Sequence, residues 1–389
     1  MDRVSGLDQD VLSALAPGEG IPGCNQEADL LKAAQADPSS FASNHALGIF
    51  YFGHGDFIQS IGYLKKAHQE LPADFGNSRD LALAFIGAGQ YANAISLLEP
   101  IADRGARDSG LLTILAMAYG ASGNPQKAIA EYLRAAGMDS GEENLFACGI
   151  GLIGLGAADE AERLFTSATV AHPGSARLWM GLGIAQDLKK QTADAARSLL
   201  RAVDVDPEYL PSYSFLAAVA ASAELDAKVM AEARERLAVL VVAHPESAVA
   251  HYDYALALWK QRALNPVAAS DAEIESQLKL ALEKDPSMAR AHFQLGVVYA
   301  DSGDYANAAA EFEQTLRLEP ANAEAHYHLA QAYRRNQQAE LAGEEMNRFV
   351  ALHGNAANGK EGLDADVSKL VPELSRPVTR STPCPVRNP

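Results

Sequence analysis

Gly149-Ile150-Gly151-Leu152-Ile153-Gly154 spells the GxGxxG string that lets a backbone approach a dinucleotide pyrophosphate. That chemistry needs a strand before the string and a helix opening at its last glycine. Here the string sits inside a helical apolar pattern, so a nucleotide site is not expected. His251, His292 and His326 recur at equivalent places in successive segments, which raises a ladder of metal ligands. Successive packed helices stand about 10 Å apart, whereas zinc needs each nitrogen within about 2.1 Å. Packing between helices is therefore their expected role. The sequence holds no HExxH, phosphate loop or nucleophile elbow. Acidic pairs such as Glu142-Glu143 and Glu344-Glu345 read as solvated helix surface. No catalytic, cofactor-binding or metal-binding residue is assigned, no cofactor is implied, and the chain is not expected to be an enzyme.

The pattern that must position everything else has a period of about 34 residues. Its clearest copy carries Trp179, Leu182 and Gly183, then Ala195, Leu199, Ala202 and Pro207. Earlier copies start near Phe41 (Leu47, Gly48, Tyr51, Leu64, Pro72), Phe75 (Leu81, Ala82, Phe85, Leu98), Ser109 (Leu115, Ala116, Tyr119, Tyr132) and Glu142 (Cys148, Gly149, Leu152, Phe165, Pro173). Side chains three or four apart share one helical face, so each copy reads as two amphipathic helices. Gly55, Gly89, Gly123 and Gly303 mark turns, and prolines such as Pro245, Pro286 and Pro320 close one copy before the next. The copies around Tyr213 to Leu240 and Tyr254 to Ala281 depart from the period, with extra residues placed between their helices, the second set in Gln261 to Glu273. The copies around Leu295 to Phe312 and Leu329 to Met346 restore it.

These residues resemble the tetratricopeptide repeat (TPR) family over roughly residues 25 to 354. The resemblance implies an all-α, right-handed superhelical solenoid of helix-turn-helix TPR hairpins, about nine repeats plus an N-terminal half-repeat. Residues 1–40 are expected to form a degenerate half-repeat cap and residues 41–356 the solenoid. Residues 357–389, containing proline, are expected to be a disordered tail. The chain also resembles multi-repeat bacterial proteins of unassigned function.

Composition bounds the function. The 389 residues carry 50 Asp and Glu against 32 Lys and Arg, a formal net charge of −18. That balance argues against nucleic acid and against anionic lipid as partners; a basic peptide is compatible with it. The three cysteines, Cys24, Cys148 and Cys384, are scattered and form no CxxC or disulfide framework. No apolar run is long enough to span a membrane. Ile21-Pro22-Gly23-Cys24 lacks the apolar segment that a lipoprotein cleavage site requires. A cytoplasmic location is the default, with a periplasmic or secreted one as the alternative if the N-terminus is truncated or misassigned.

The family geometry implies a concave face lined by the first helix of each hairpin. The positions expected there are Ile49, Phe52, Leu83, Ile86, Met117, Ile150, Ile153, Ile184, Leu256, Trp259 and Val297. Where the family often places asparagine, this chain is apolar. The expected function is a protein-protein interaction scaffold whose apolar groove holds a segment with apolar anchors. An alternative is a cell-envelope assembly or secretion accessory, should the native start carry an export signal. Another is an enzyme with its site at the two irregular copies, which would require Trp259, Arg262 and His292 to converge. His45, Arg79, Thr113 and Phe146 do not supply the clamp that some family members use for a terminal carboxylate.

Overall fold

The computed structural model describes residues 24–105, 107–222, 225–264 and 269–356. All regular elements among them are α-helices, and they fall into two compact units divided between Pro173 and Gly174. In the first unit a lone helix α1 (Cys24–Ala36) precedes four hairpins. These are α2 (Phe41–Gly53) with α3 (Phe57–Glu70), α4 (Phe75–Gly87) with α5 (Tyr91–Asp103), α6 (Ser109–Ala121) with α7 (Pro125–Met138), and α8 (Glu142–Gly154) with α9 (Ala158–Ala171). The second unit has five: α10 (Ala176–Leu188) with α11 (Thr192–Val205), α12 (Pro211–Ser222) with α13 (Ala227–Ala243), α14 (Ala248–Leu264) with α15 (Asp271–Lys284), α16 (Ala289–Ser302) with α17 (Tyr305–Leu318), and α18 (Ala323–Arg335) with α19 (Ala339–Ala356). The expected tail at 357–389 and the start of the expected cap lie outside the described residues.

Local chemistry starts and stops these helices. Asp56, Asp74, Asp108, Ser175, Ser270, Asp304 and Asn322 each accept a hydrogen bond from the backbone N–H three residues on, satisfying one donor of the open first turn. The turns inside hairpins need a left-handed residue, supplied for example by Gly123 (φ 82°) and Gly303 (φ 84°). In two hairpins Lys190 and Gln337 take that conformation instead, each at φ 61°.

Within a hairpin, small residues let the helices close. A Cβ on Gly149 would lie 2.2 Å from the Phe165 ring, and one on Gly151 would lie 2.3 Å from the Tyr132 ring of the preceding hairpin. Cys148 beside them is buried, and desolvation pushes its thiol up to about 11, as expected of a core residue. Gly149 and Gly151 of the GxGxxG string are thus packing residues inside α8, whereas Gly154 at its end is exposed.

Adjacent hairpins are stitched by a recurring polar contact. A first-helix tyrosine donates its hydroxyl to a glutamate of the preceding second helix: Tyr51 to Glu27 at 3.0 Å, Tyr119 to Glu99 at 2.5 Å, Tyr299 to Glu275 at 3.0 Å and Tyr333 to Glu313 at 2.7 Å. The hydrogen bond from Tyr119, with a second from Lys127, lowers the Glu99 carboxyl below its ordinary value. Lys279, and then Tyr299, do the same for Glu275.

The irregular copies differ from the sequence expectation. Much of the extra length lies in helix rather than loop: α13 and α14 are each 17 residues long, and Gln261–Leu264 belongs to α14. A helix lengthened by about one turn satisfies its own backbone hydrogen bonds, which a longer loop would leave to water.

Two outcomes test this account. Gly149→Ala should destabilise the fold by about 1–3 kcal/mol, because the Phe165 ring must move to admit a methyl group; urea denaturation followed by far-UV circular dichroism reads it. The depressed Glu99 and Glu275 carboxyls contribute stability that is complete above the unfolded value of about 4.3. It is lost as pH falls through their lower folded values. Thermal melts between neutral pH and acid should therefore show a weaker acid-side loss in the Glu99→Gln, Glu275→Gln double variant.

Candidate functional site

The eleven positions expected to line a groove divide by burial. Leu83, Ile86, Met117, Ile150, Ile153, Ile184 and Leu256 are buried, whereas Ile49, Phe52, Trp259 and Val297 are half-buried. The reason lies in the first helices themselves. Leu111 to Tyr119 of α6 is buried without a break, and so are Asn77 and Ser78 with Asp80 to Ile86 of α4. A helix that is apolar on every side has no free face to offer. An apolar side chain that is already covered adds nothing to a partner's buried area, so the seven buried positions do not form an accessible floor.

The accessible first-helix surface of the second unit lies on α14, α16 and α18. Three contacts bring these helices side by side. The Arg290 guanidinium of α16 sits 4.8 Å from the centre of the Tyr252 ring of α14. Trp259 Nε1 of α14 donates to Asp301 of α16 at 3.4 Å. The rings of Phe293 on α16 and His328 on α18 are 5.4 Å apart, edge to face. Tyr327 on α18 is 37% exposed, and Phe293 and Val297 are half-buried. Burial pushes the His328 imidazole below its ordinary range.

Trp259 and Arg262 do converge, but on Asp301 rather than on His292. Arg262 bonds Asp301 at 2.9 Å and also pairs with Asp271 at the start of α15. This ion-paired cluster ties the lengthened α14 to its neighbours. His292 is engaged elsewhere, so the convergence that an active site here would require is not formed.

The histidines belong to a second recurring contact that sequence reading missed. In each case Nε2 donates to the carbonyl of the proline six residues earlier: His251 to Pro245 at 3.0 Å, His292 to Pro286 at 3.2 Å and His326 to Pro320 at 3.1 Å. Asn44 does the same for Pro38 at 2.9 Å. The opposite nitrogen meets the second helix of the same hairpin, Nδ1 lying 2.7 Å from Gln277, 2.6 Å from Glu311 and 2.5 Å from Glu345 in turn. The constant Pro-to-His spacing was the available signal. Among the described residues, no group of three or more His, Cys, Asp or Glu is placed to hold a metal ion.

Repeated helical hairpins joined by small-residue contacts define a repeat protein of the solenoid class. A tetratricopeptide repeat family model matches residues 79–143, 149–209, 275–313 and 293–357, more than half of the chain, and the protein belongs to that family. No curated protein matches the sequence. Among solved structures, it is similar to MamA (20% identity, covering 46% of this chain and 97% of that one, TM-score 0.36). It is also similar to YrrB, described as a TPR protein with an unusual peptide-binding site (18% identity, covering 47% and 95%, TM-score 0.36). A third is yeast Tom70 (14% identity, covering 90% and 84%, TM-score 0.47). No helix among the described residues is long and apolar enough to cross a membrane.

His326→Leu tests the histidine assignment. It leaves the Pro320 carbonyl without its donor and removes the contact to the buried Glu345, which should cost about 1–3 kcal/mol in chemical denaturation. Added zinc should leave the wild-type melting temperature unmoved; a rise that needs the histidines would instead indicate a metal ladder.

Proposed function

We propose that the protein is a non-catalytic scaffold that holds a segment of another protein against its first-helix surface. The observation that carries this reading is the accessible run of aromatic and apolar side chains on α14, α16 and α18, with Trp259, Phe293, Val297 and Tyr327 as its members. Ile49 and Phe52 on α2 offer a smaller surface of the same kind in the first unit. Membership of a family built for stacking hairpins supports it, since such arrays present extended surfaces rather than closed pockets. The partner contributes apolar anchors, and those anchors meet the half-buried positions rather than the seven buried ones. In the same reading residues 1–40 cap the array and residues 357–389 form a tail.

The experiment is affinity capture from the source cell, read by quantitative mass spectrometry, with three baits. Wild type and a Val242→Ser variant on the exposed side of α13 (Val242 is 82% exposed) should capture the same proteins. A Val297→Ser, Tyr327→Ser variant of unchanged helicity should lose them by about tenfold or more, as expected when anchor contacts at the centre of an interface are removed. Equal capture by all three baits would sink the reading.

A further inference from the structure

The second unit's first-helix surface differs in charge from the chain that carries it. Lys260 on α14, Arg290 on α16 and Arg334 on α18 lie on three consecutive first helices, and none makes a direct ion pair with a carboxylate among the described residues. Arg290 rests on the Tyr252 ring and lies in the field of the Asp285 carboxylate just before α16, without pairing with it directly. Spacing puts Arg290 and Arg334 each on the same helical face as an aromatic residue. Arg290 is three residues from Phe293, and Arg334 seven from Tyr327. Lys260 adjoins Trp259 and lies eight residues from Tyr252.

The acids on this surface are few. Asp253 on α14 is buried and accepts from the Ser214 hydroxyl at 2.7 Å, and Asp301 shares Arg262 with Asp271 at the start of α15. Glu324, at the start of α18, stands against Lys260, Arg290 and Arg334, so the surface keeps an excess of positive charge. A formal net charge of −18 for the whole chain makes a cluster of cations outside ion pairs, beside partly exposed aromatic rings, unexpected as a solubility device. Cations that are left unpaired in an acidic protein, and set between apolar anchors, fit an anionic partner with apolar side chains of its own.

We infer that α14, α16 and α18 dock an acidic peptide segment in which Asp or Glu alternates with aromatic or aliphatic residues. The segment's carboxylates pair with Lys260, Arg290 and Arg334, and its apolar side chains rest on Trp259, Phe293, Val297 and Tyr327. This rests on the scaffold reading above and names the chemistry of the partner. Three helices at about 10 Å spacing are crossed by about six to eight extended residues, so a short linear segment suffices.

The test uses the full-length chain and fluorescence anisotropy with three labelled probes. One is a peptide of about eight residues alternating glutamate with leucine and phenylalanine. The second is the same peptide with lysine for glutamate, and the third is an oligothymidylate of similar length. The acidic peptide should bind, weaken as salt is raised, and lose about tenfold or more in affinity in a Lys260→Glu, Arg290→Glu, Arg334→Glu variant. The lysine peptide should bind at least about tenfold more weakly than the acidic one. If the triple variant loses helicity, Arg334→Glu alone, at an exposed position, should still weaken binding by about threefold. Absence of acidic-peptide binding, equal binding of the lysine peptide, indifference to charge reversal, or preference for the oligothymidylate would each overturn the inference. If cellular capture still depends on Val297 and Tyr327 while the acidic peptide fails, only the assigned chemistry is wrong. If capture is also indifferent, the scaffold reading fails with it.

Discussion

A two-helix hairpin cannot bury its own apolar stripe, and the whole chain is an answer to that constraint. Phe165 closes onto the bare backbone of Gly149, and Tyr132 of one hairpin onto Gly151 of the next. Each such contact buries a ring against main chain, where no side chain could fit between. Stability in this arrangement comes from nearest neighbours, so each hairpin depends on those beside it. The polar stitches follow the same geometry. Tyrosine hydroxyls reach back to the preceding second helix, and histidines tie the turn between hairpins to the hairpin that follows. Every stitch is local in sequence, within one repeat or the junction to the next.

Locality explains what could be read from the chain alone. Period, turn glycines and closing prolines are short-range features, and helices and hairpins follow from them. Burial of the first helices is equally present in the sequence, in the composition around each helix rather than in its family position. Leu111-Leu112-Thr113-Ile114-Leu115-Ala116-Met117-Ala118-Tyr119 has no polar side, and such a helix is covered all round. Family position alone put Met117 at an open surface, whereas the composition around the helix put it inside. The contrast with α18 is instructive. Tyr327, Gln331 and Arg334 lie on one of its faces, and the helix ends in two arginines, as a surface exposed to water requires.

The histidines show a different limit. Their recurrence is visible and their spacing rules out metal coordination, but their partners lie six residues earlier and 19 or 26 later in the chain. A proline carbonyl at a helix junction has lost the N–H donor that would continue the helix. A side chain with two ring nitrogens can donate to that carbonyl from one and meet a polar group of the second helix with the other. The requirement is set by backbone geometry at the junction, which the side-chain pattern does not display. Asn44 meets the carbonyl half of it by donating to Pro38, so the demand belongs to the position rather than to histidine chemistry.

Net charge misleads in the same way when it is taken as a property of the whole surface. A value of −18 sums carboxylates that are already committed, such as Glu99 to Tyr119 and Lys127, or Asp301 to Arg262. What a partner meets is the remainder on one face. On α14, α16 and α18 that remainder is positive and lies between aromatic rings, although the net charge of the whole chain is compatible with a basic partner. Electrostatic choice of partner operates over about a Debye length, near 8 Å in physiological salt. Cations on neighbouring helices therefore outweigh acids spread over the rest of the repeats, and local pairing rather than total charge decides which sign of segment this surface admits.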